Sequence, residues 1–245
     1  MLIVNADDFG RSRADTDAVV ACYAARRISS TTAMVFMTDS ARAAAAMKDC
    51  GIGVGLHLNL SERFTAPHVD ERLQRMHHRV VGFLTSSKYA ILIYNPLLRR
   101  EFSAVIQAQI DEFVRLYGRA PVHVDGHHHH HLCANVLVDK LLPPASPVRR
   151  SFSFWPGEKS VFNRLYRKGV DRSLARNHRL ADYFFSLEQC LQYGRLPRVF
   201  ALAKTSVVEV MTHPAKTLEY DYLMSDVFRR QIAQVSVGTY TGVAQ

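Results

Sequence analysis

A parallel α/β barrel with helices on the outside is the fold this chain predicts, and three observations predict it. Short apolar runs alternate with helical stripes along the chain. Three of those runs end in residue types that bind metals: Leu2-Ile3-Val4-Asn5-Ala6-Asp7-Asp8, Ile52-Gly53-Val54-Gly55-Leu56-His57, and Val122-His123-Val124-Asp125-Gly126-His127. Finally, 245 residues that are 48% hydrophobic suit one sizeable core, so 1–245 reads as a single domain.

The elements follow in order. Residues 2–6 form an apolar strand. Residues 13–27 are helical, with Ala18, Val19, Cys22 and Tyr23 on one stripe. Thr31–Met37 is β-branched and apolar, a second strand. An alanine-rich helix at 40–48 and a strand at 52–58 come next. Residues 61–96 show no regular pattern and carry His68, His77 and His78, so they are expected to be a long loop over the site, a lid. Those histidines read as solvent- or substrate-facing. Leu98, Phe102, Val105, Ile106, Ile110, Phe113 and Val114 make a helical stripe over 97–117, stopped by Gly118. A strand at 121–127 leads to a helix from Asn135 to Leu142, stopped by Pro143-Pro144. Val148–Phe154 alternates and is expected to be a strand; 151–200 reads as a helical region; Val207–Thr212 is a clear strand. A last helix is expected over 221–233, then a short extended piece. Short strands that are apolar on both faces favour a barrel over an open sheet.

The net charge is +9, which favours anionic partners. Much of the excess lies in Lys159, Arg164, Arg167, Lys168, Arg172, Arg176 and Arg179, with Asp171 the one nearby acid. The plain reading is a solvated helix face; the sharper one is a platform for a phosphorylated or lipid-linked substrate, with peripheral membrane contact. No nucleic-acid signature accompanies the charge, so nucleic acid is not expected. Cys22, Cys50, Cys133 and Cys190 form no paired motif and read as small buried residues, with Cys133 near enough to the histidines to be weighed as a ligand. No apolar stretch is long enough to span a bilayer, and the N-terminus lacks a secretion-signal pattern, so a cytoplasmic protein is expected.

Barrel active sites lie at the C-terminal ends of strands. Asp7-Asp8, His57, the run beginning at His127, and His213 after Val207–Thr212 all fall there. Each alone has an ordinary explanation. Asp7-Asp8 precedes a helix and one of the pair can cap it; a lone histidine can be a satisfied core residue. Together they point to a metal-assisted reaction. In an extended strand His123, Asp125 and His127 share a face, joined by His129 and His131 if the strand persists. One of these histidines is then a ligand and the others support it or meet substrate.

Asn5-Ala6-Asp7-Asp8-Phe9-Gly10, Ser29–Met34, Gly55-Leu56-His57-Leu58, His123–His129 and Thr212-His213-Pro214 resemble the motif set of the YdjC-like carbohydrate deacetylases, the ChbG/HpnK family. The resemblance covers most of 2–135 and returns at 207–214. Gly126 stands where that family more often has serine. The resemblance implies a distorted, TIM-like (β/α) barrel that removes acetyl groups from N-acetylated sugars with one divalent metal. Carried over, Asp8, His57 and His127 hold the metal, Asp7 is the general base and His213 the general acid. His123, Asp125 and His129 are expected to support the ligands or contact substrate, and Arg149 or Arg150 to orient Asp7. Two imidazoles and a carboxylate suit zinc, nickel or cobalt better than magnesium, although magnesium stays open. The expected partner is an acetylated sugar or glycolipid, and a homodimer is in keeping with the family. Two other readings compete: hydrolysis of another amide or ester on a lipid-linked or anionic glycan, and non-catalytic metal storage by the histidine tract.

Overall fold

The computed structural model describes residues 1–47 and 49–243. Six parallel strands form one sheet in the order β4-β3-β2-β1-β6-β5, with helices packed outside it. In chain order the elements are β1 (Leu2–Phe9), α1 (Arg13–Ala24), β2 (Ser30–Ala33), α2 (Ser40–Met47), β3 (Gly53–Leu58), α3 (Glu71–Thr85), α4 (Arg99–Tyr117) and β4 (Val124–Gly126). Then come α5 (Ala134–Val138), α6 (Val161–Leu174), β5 (Tyr183–Ser186), α7 (Leu187–Gln192), α8 (Leu196–Ala203), β6 (Val208–Thr212), α9 (Thr217–Met224) and α10 (Asp226–Ile232). Residue 48, the last of the helix expected over 40–48, lies outside the described residues.

The strands are not apolar on both faces, which corrects the sequence expectation. Leu2, Val4 and Ala6 of β1 join the main core with Val54, Leu56 and Leu58 of β3 and with Val208 and Val210 of β6. With a period of two, the intervening residues point the other way. Those are Ile3, Asn5 and Asp7; Gly53, Gly55 and His57; and Glu209 and Met211. The barrel is therefore packed outside by aliphatic side chains against helices and filled inside largely by polar ones.

The expected strand at 148–154 is not a regular strand. It is an extended segment that bridges the two sheet edges: Arg149 N donates to Val124 O (3.0 Å) on the β4 side, and Ser153 N donates to Phe184 O (2.9 Å) in β5. Its ladder is interrupted because Ser151 N donates to the Asp171 side chain instead (2.9 Å). The true edge strand, the aromatic run at 183–186, was not foreseen. At the barrel floor the C-terminal piece turns inward, and Tyr240 and Val243 pack on Ile3.

Residues 61–96 are not a structureless loop. They contain α3, capped by Asp70, whose Oδ1 accepts from Leu73 N (3.1 Å). Leu73, Met76, Val80 and Leu84 give its inward stripe, and His77 joins them, buried and stacked on Phe64 at 3.6 Å. Its Nε2 lies 3.0 Å from Asn59 O, so His77 faces the core rather than solvent or substrate. The helix expected over 221–233 is two helices, broken at Ser225, whose extended backbone lets its Oγ cap the second. The helix expected to reach Leu142 ends at Val138, before the prolines.

Candidate active site

Strand register brings the site together. Ala6 pairs with Thr212, so Asp7 and His213 leave neighbouring strands at one level. His57 pairs with Asp125 in the same way. Asp7 and Asp8 lie inside β1, at an irregularity where its pairing to β2 shifts between Ala6 and Phe9. Asp8 has a left-handed backbone (φ 64°), a conformation aspartate tolerates better than most residues. Neither aspartate caps the following helix. Ser12 does, accepting from Asp15 N.

Asp8, His57 and His127 each offer one ligand atom, and these atoms all lie within 4.8 Å of one another. Asp8 Oδ1 is 2.9 Å from His127 Nδ1 and 3.3 Å from His57 Nε2. Yet that oxygen is buried and accepts no hydrogen bond. A carboxylate oxygen facing two imidazole nitrogens at the spacing of neighbouring ligands in a zinc shell (about 3.3 Å from bond lengths near 2.0–2.1 Å) fits a bound cation. His57 Nδ1 donates to Asp125 Oδ1 (2.7 Å), which leaves Nε2 facing the site. This is the carboxylate–imidazole support that metal-binding histidines commonly have. Burial opposes charge on His57, but Asp125 and Asp8 outweigh it and raise its pKa to about 10.

Asp7 does not share that point. Arg149 Nη1 and Nη2 donate to its two oxygens (2.6 and 2.7 Å), and Asn5 Nδ2 donates to Oδ1 (2.9 Å). Arg149 is wholly buried, and its remaining donors lie 2.7 Å from Asp125 Oδ2 and Glu209 Oε1. Tyr240 donates to the other Glu209 oxygen. Burial pushes Glu209 up to about 7 against the pull of Arg149. Arg150, its neighbour, points elsewhere: it pairs with Asp171 (2.7 Å) and the Asp182 carbonyl, so of the two arginines only Arg149 touches Asp7.

His213 N donates to Glu219 Oε2 (2.9 Å), and Nδ1 lies 3.3 Å from Oε1. Burial opposes its charge, but Glu219, Asp7 and Asp8 outweigh it and raise its pKa. His123 lies deeper, stacked on Tyr240 at 3.9 Å, and burial pushes it down to about 3. A Cβ on Gly55 would come within 2.6 Å of its ring, which accounts for glycine at that position. The strand does not persist past Gly126. His128 and His129 take left-handed backbones (φ 53° and 59°) in a tight turn that runs to Leu132. His129 is half-buried and edge-on to Phe152 (4.5 Å) rather than at the ligand point. His131 Nε2 lies 3.0 Å from Arg149 O. A Cβ at Gly126 would meet His131 at 2.9–3.0 Å, so serine there needs His131 to move. Cys133 is buried, its thiol pushed up to about 11, and belongs to none of the ligand groups among the described residues.

Sequence reasoning missed several members. Thr32 Oγ1 donates to Asp125 Oδ2 (3.1 Å) and accepts from Asn5 Nδ2 (3.1 Å), linking β1, β2 and β4. Glu62 Oε2 lies 3.2 Å from His127 Nε2. Glu209 did carry a signal, as a carboxylate inside the apolar run Val208–Met211. Glu219 and Tyr240 carried none.

Fold and site together define an α/β barrel with a buried two-histidine, one-carboxylate group beside a separate aspartate–histidine pair. The chain belongs to the YdjC-like protein family, whose model matches residues 1–234. It is 30% identical over 229 residues to a chitooligosaccharide deacetylase of Proteus mirabilis, covering 88% of this chain and 81% of that one. It is 28% identical to a chitooligosaccharide deacetylase of Yersinia enterocolitica, with 98% of both chains covered. In fold it resembles a protein of Enterococcus faecalis named for cellobiose-phosphate cleavage (TM-score 0.69, 20% identity, 100% and 98% of the two chains).

Proposed function

We propose that this protein is a metal-dependent hydrolase that removes acetyl groups from N-acetylated sugars. The observation that carries the reading is the convergence of Asp8, His57 and His127 beside an aspartate and a histidine that are not part of that group. Deacetylase names among full-length relatives support the reaction class. Asp8, His57 and His127 would hold the cation, and their mixed nitrogen and oxygen donors favour zinc, nickel or cobalt over magnesium. When bound, a divalent ion supplies Lewis acidity, polarising an acyl carbonyl and lowering the pKa of water from about 15.7 to about 7.

The chain's own groups supply the proton transfers. A carboxylate accepts at about four lone-pair sites. Arg149 takes one on each Asp7 oxygen and Asn5 takes a second on Oδ1, so Oδ2 keeps one for the proton of the attacking water. Arg149 and Asn5 also fix the plane of that carboxylate. His213, whose charged form Glu219 favours through Nδ1, would offer Nε2 to protonate the leaving amine.

Acetate release from N-acetylglucosamine oligosaccharides tests the proposal. Zinc-loaded protein is expected to release acetate, chelated protein to lose that activity, and Asp7→Asn and His213→Ala to lose about 10²–10⁴-fold in kcat. No release by loaded protein across a broad panel of acetylated sugars would sink it. A second reading, hydrolysis on a lipid-linked or anionic glycan, is favoured by a cavity of about 540 Å³ walled by Phe152, Phe154, Trp155, Arg164 and Arg167. A higher kcat/KM for anionic than for neutral acetylated sugars would select it.

A further inference from the structure

Helix α6 packs Val170 and Leu174 on the core but also carries an apolar stripe on its outer side. On its outer side Val161, Phe162 and Leu165 are 63%, 81% and 62% exposed, and their spacing puts them on one stripe. Arg164 and Arg167 are half-buried, whereas Arg172 stays exposed. Arg167 lies over the Phe154 ring at 5.1 Å, and Arg164 Nε is buried without a hydrogen-bond partner. A helix whose outer side faces only water carries polar residues there. Lys159, Lys168, Arg172 and Arg176 are exposed, so the basic segment is solvated there, and the apolar stripe lies among them.

Charge identifies what covers it. Lys159, Arg164, Arg167, Lys168 and Arg172 crowd this helix, and its one acid, Asp171, is already paired with Arg150 (2.7 Å). The whole chain adds a net charge of +9. An exposed apolar stripe flanked by unneutralised cations matches an anionic lipid surface, where acyl chains take the apolar tips and headgroups take the ammonium and guanidinium groups. A further exposed apolar residue lies outside α6. Leu97 is 82% exposed on a segment tied to α5 through Asn95 N and Asn135 Oδ1 (3.0 Å). Val136 and Leu137 of α5 line a small cavity with Ser173 and Leu174 of α6.

We propose that α6 docks the protein on an anionic bilayer, with Phe162 and Leu165 inserted among acyl chains and Lys159, Lys168 and Arg172 on the headgroups. The proposal does not rest on the deacetylase reading, because docking needs no acetylated sugar.

Flotation of the full chain with vesicles tests it. Binding is expected to equimolar phosphatidylglycerol–phosphatidylcholine vesicles and not to pure phosphatidylcholine, with loss on the order of tenfold or more at high salt. Phe162→Ser/Leu165→Ser is expected to bind on the order of tenfold more weakly with an unchanged thermal melt, since both side chains are exposed. As a separate readout, bromine-labelled acyl chains should quench the emission of Phe162→Trp beyond that of the native Trp155. Absence of flotation with the anionic vesicles overturns the proposal. So does undiminished binding by the double serine variant, or an unquenched Phe162→Trp. If that double variant turns a dimer into a monomer while no vesicle binds, α6 is a contact between two copies and the lipid proposal fails.

Discussion

Arg149 organises the site residue by residue. Its five N–H donors all have carboxylate oxygens within reach, on Asp7, Asp125 and Glu209. Lysine keeps the charge but offers three donors from one point and cannot hold two carboxylate planes at once. Arg149→Lys is therefore expected to lose about 3–5 kcal/mol in urea unfolding, as breaking a buried ion pair does, and to lose activity through a mispositioned Asp7. His77 sets a separate, pH-linked effect away from the ligand group. Burial pushes its imidazole from the ordinary 6.5 down to about 4. Between those values the unfolded chain binds a proton that the fold excludes. The contribution is thus complete above pH 6.5 and lost as pH falls toward 4, up to about 3 kcal/mol. Unfolding free energies measured from pH 7 to 4.5 should fall less steeply for His77→Leu than for wild type; equal slopes would contradict this assignment.

At the scale of the element, the strands work because one face is aliphatic and the other polar. Gly55 shows the constraint. β3 must let the His123 ring of neighbouring β4 lie flat over its backbone, and a Cβ at 2.6 Å forbids it. Gly55→Ala is expected to cost about 1–3 kcal/mol by overpacking and to shift His57 from its contact with Asp125. A melting temperature within error of wild type would refute the close approach. The turn after β4 matters similarly. Two left-handed histidines reverse the chain so that His127 stays at the ligand point while His129 packs on Phe152 and His131 reaches the Arg149 carbonyl.

Across the whole molecule the barrel is closed by segments from elsewhere in the chain. The 148–154 segment spans the gap between β4 and β5, and Tyr240 plugs the floor, its ring on His123 and its hydroxyl on Glu209. Truncating that plug, Tyr240→Ala, is expected to cost about 3–5 kcal/mol, as for other large buried aromatics, and to weaken metal retention in an equilibrium-dialysis assay by loosening Arg149. Native-like stability would show that the floor is not closed by this residue.

The α/β character, most of the helices, and the gathering of Asp7, Asp8, His57, His127 and His213 toward the C-terminal side of the sheet were legible in sequence, because periodicity is a local property, although Asp7 and Asp8 sit inside β1 rather than after it. His77 read as a surface histidine until α3 turned it onto Phe64. Arg149 and Arg150 could not be told apart, since adjacent residues in an extended segment point to opposite sides and only the neighbours decide which side is inside. Local pattern alone determined which residues could do chemistry. Tertiary structure alone decided which of them meet, because register, the left-handed turn at His128–His129 and the burial of one guanidinium among three carboxylates depend on contacts between distant residues, Arg149 and Asp7 being 142 positions apart and the paired Ala6 and Thr212 being 206 apart.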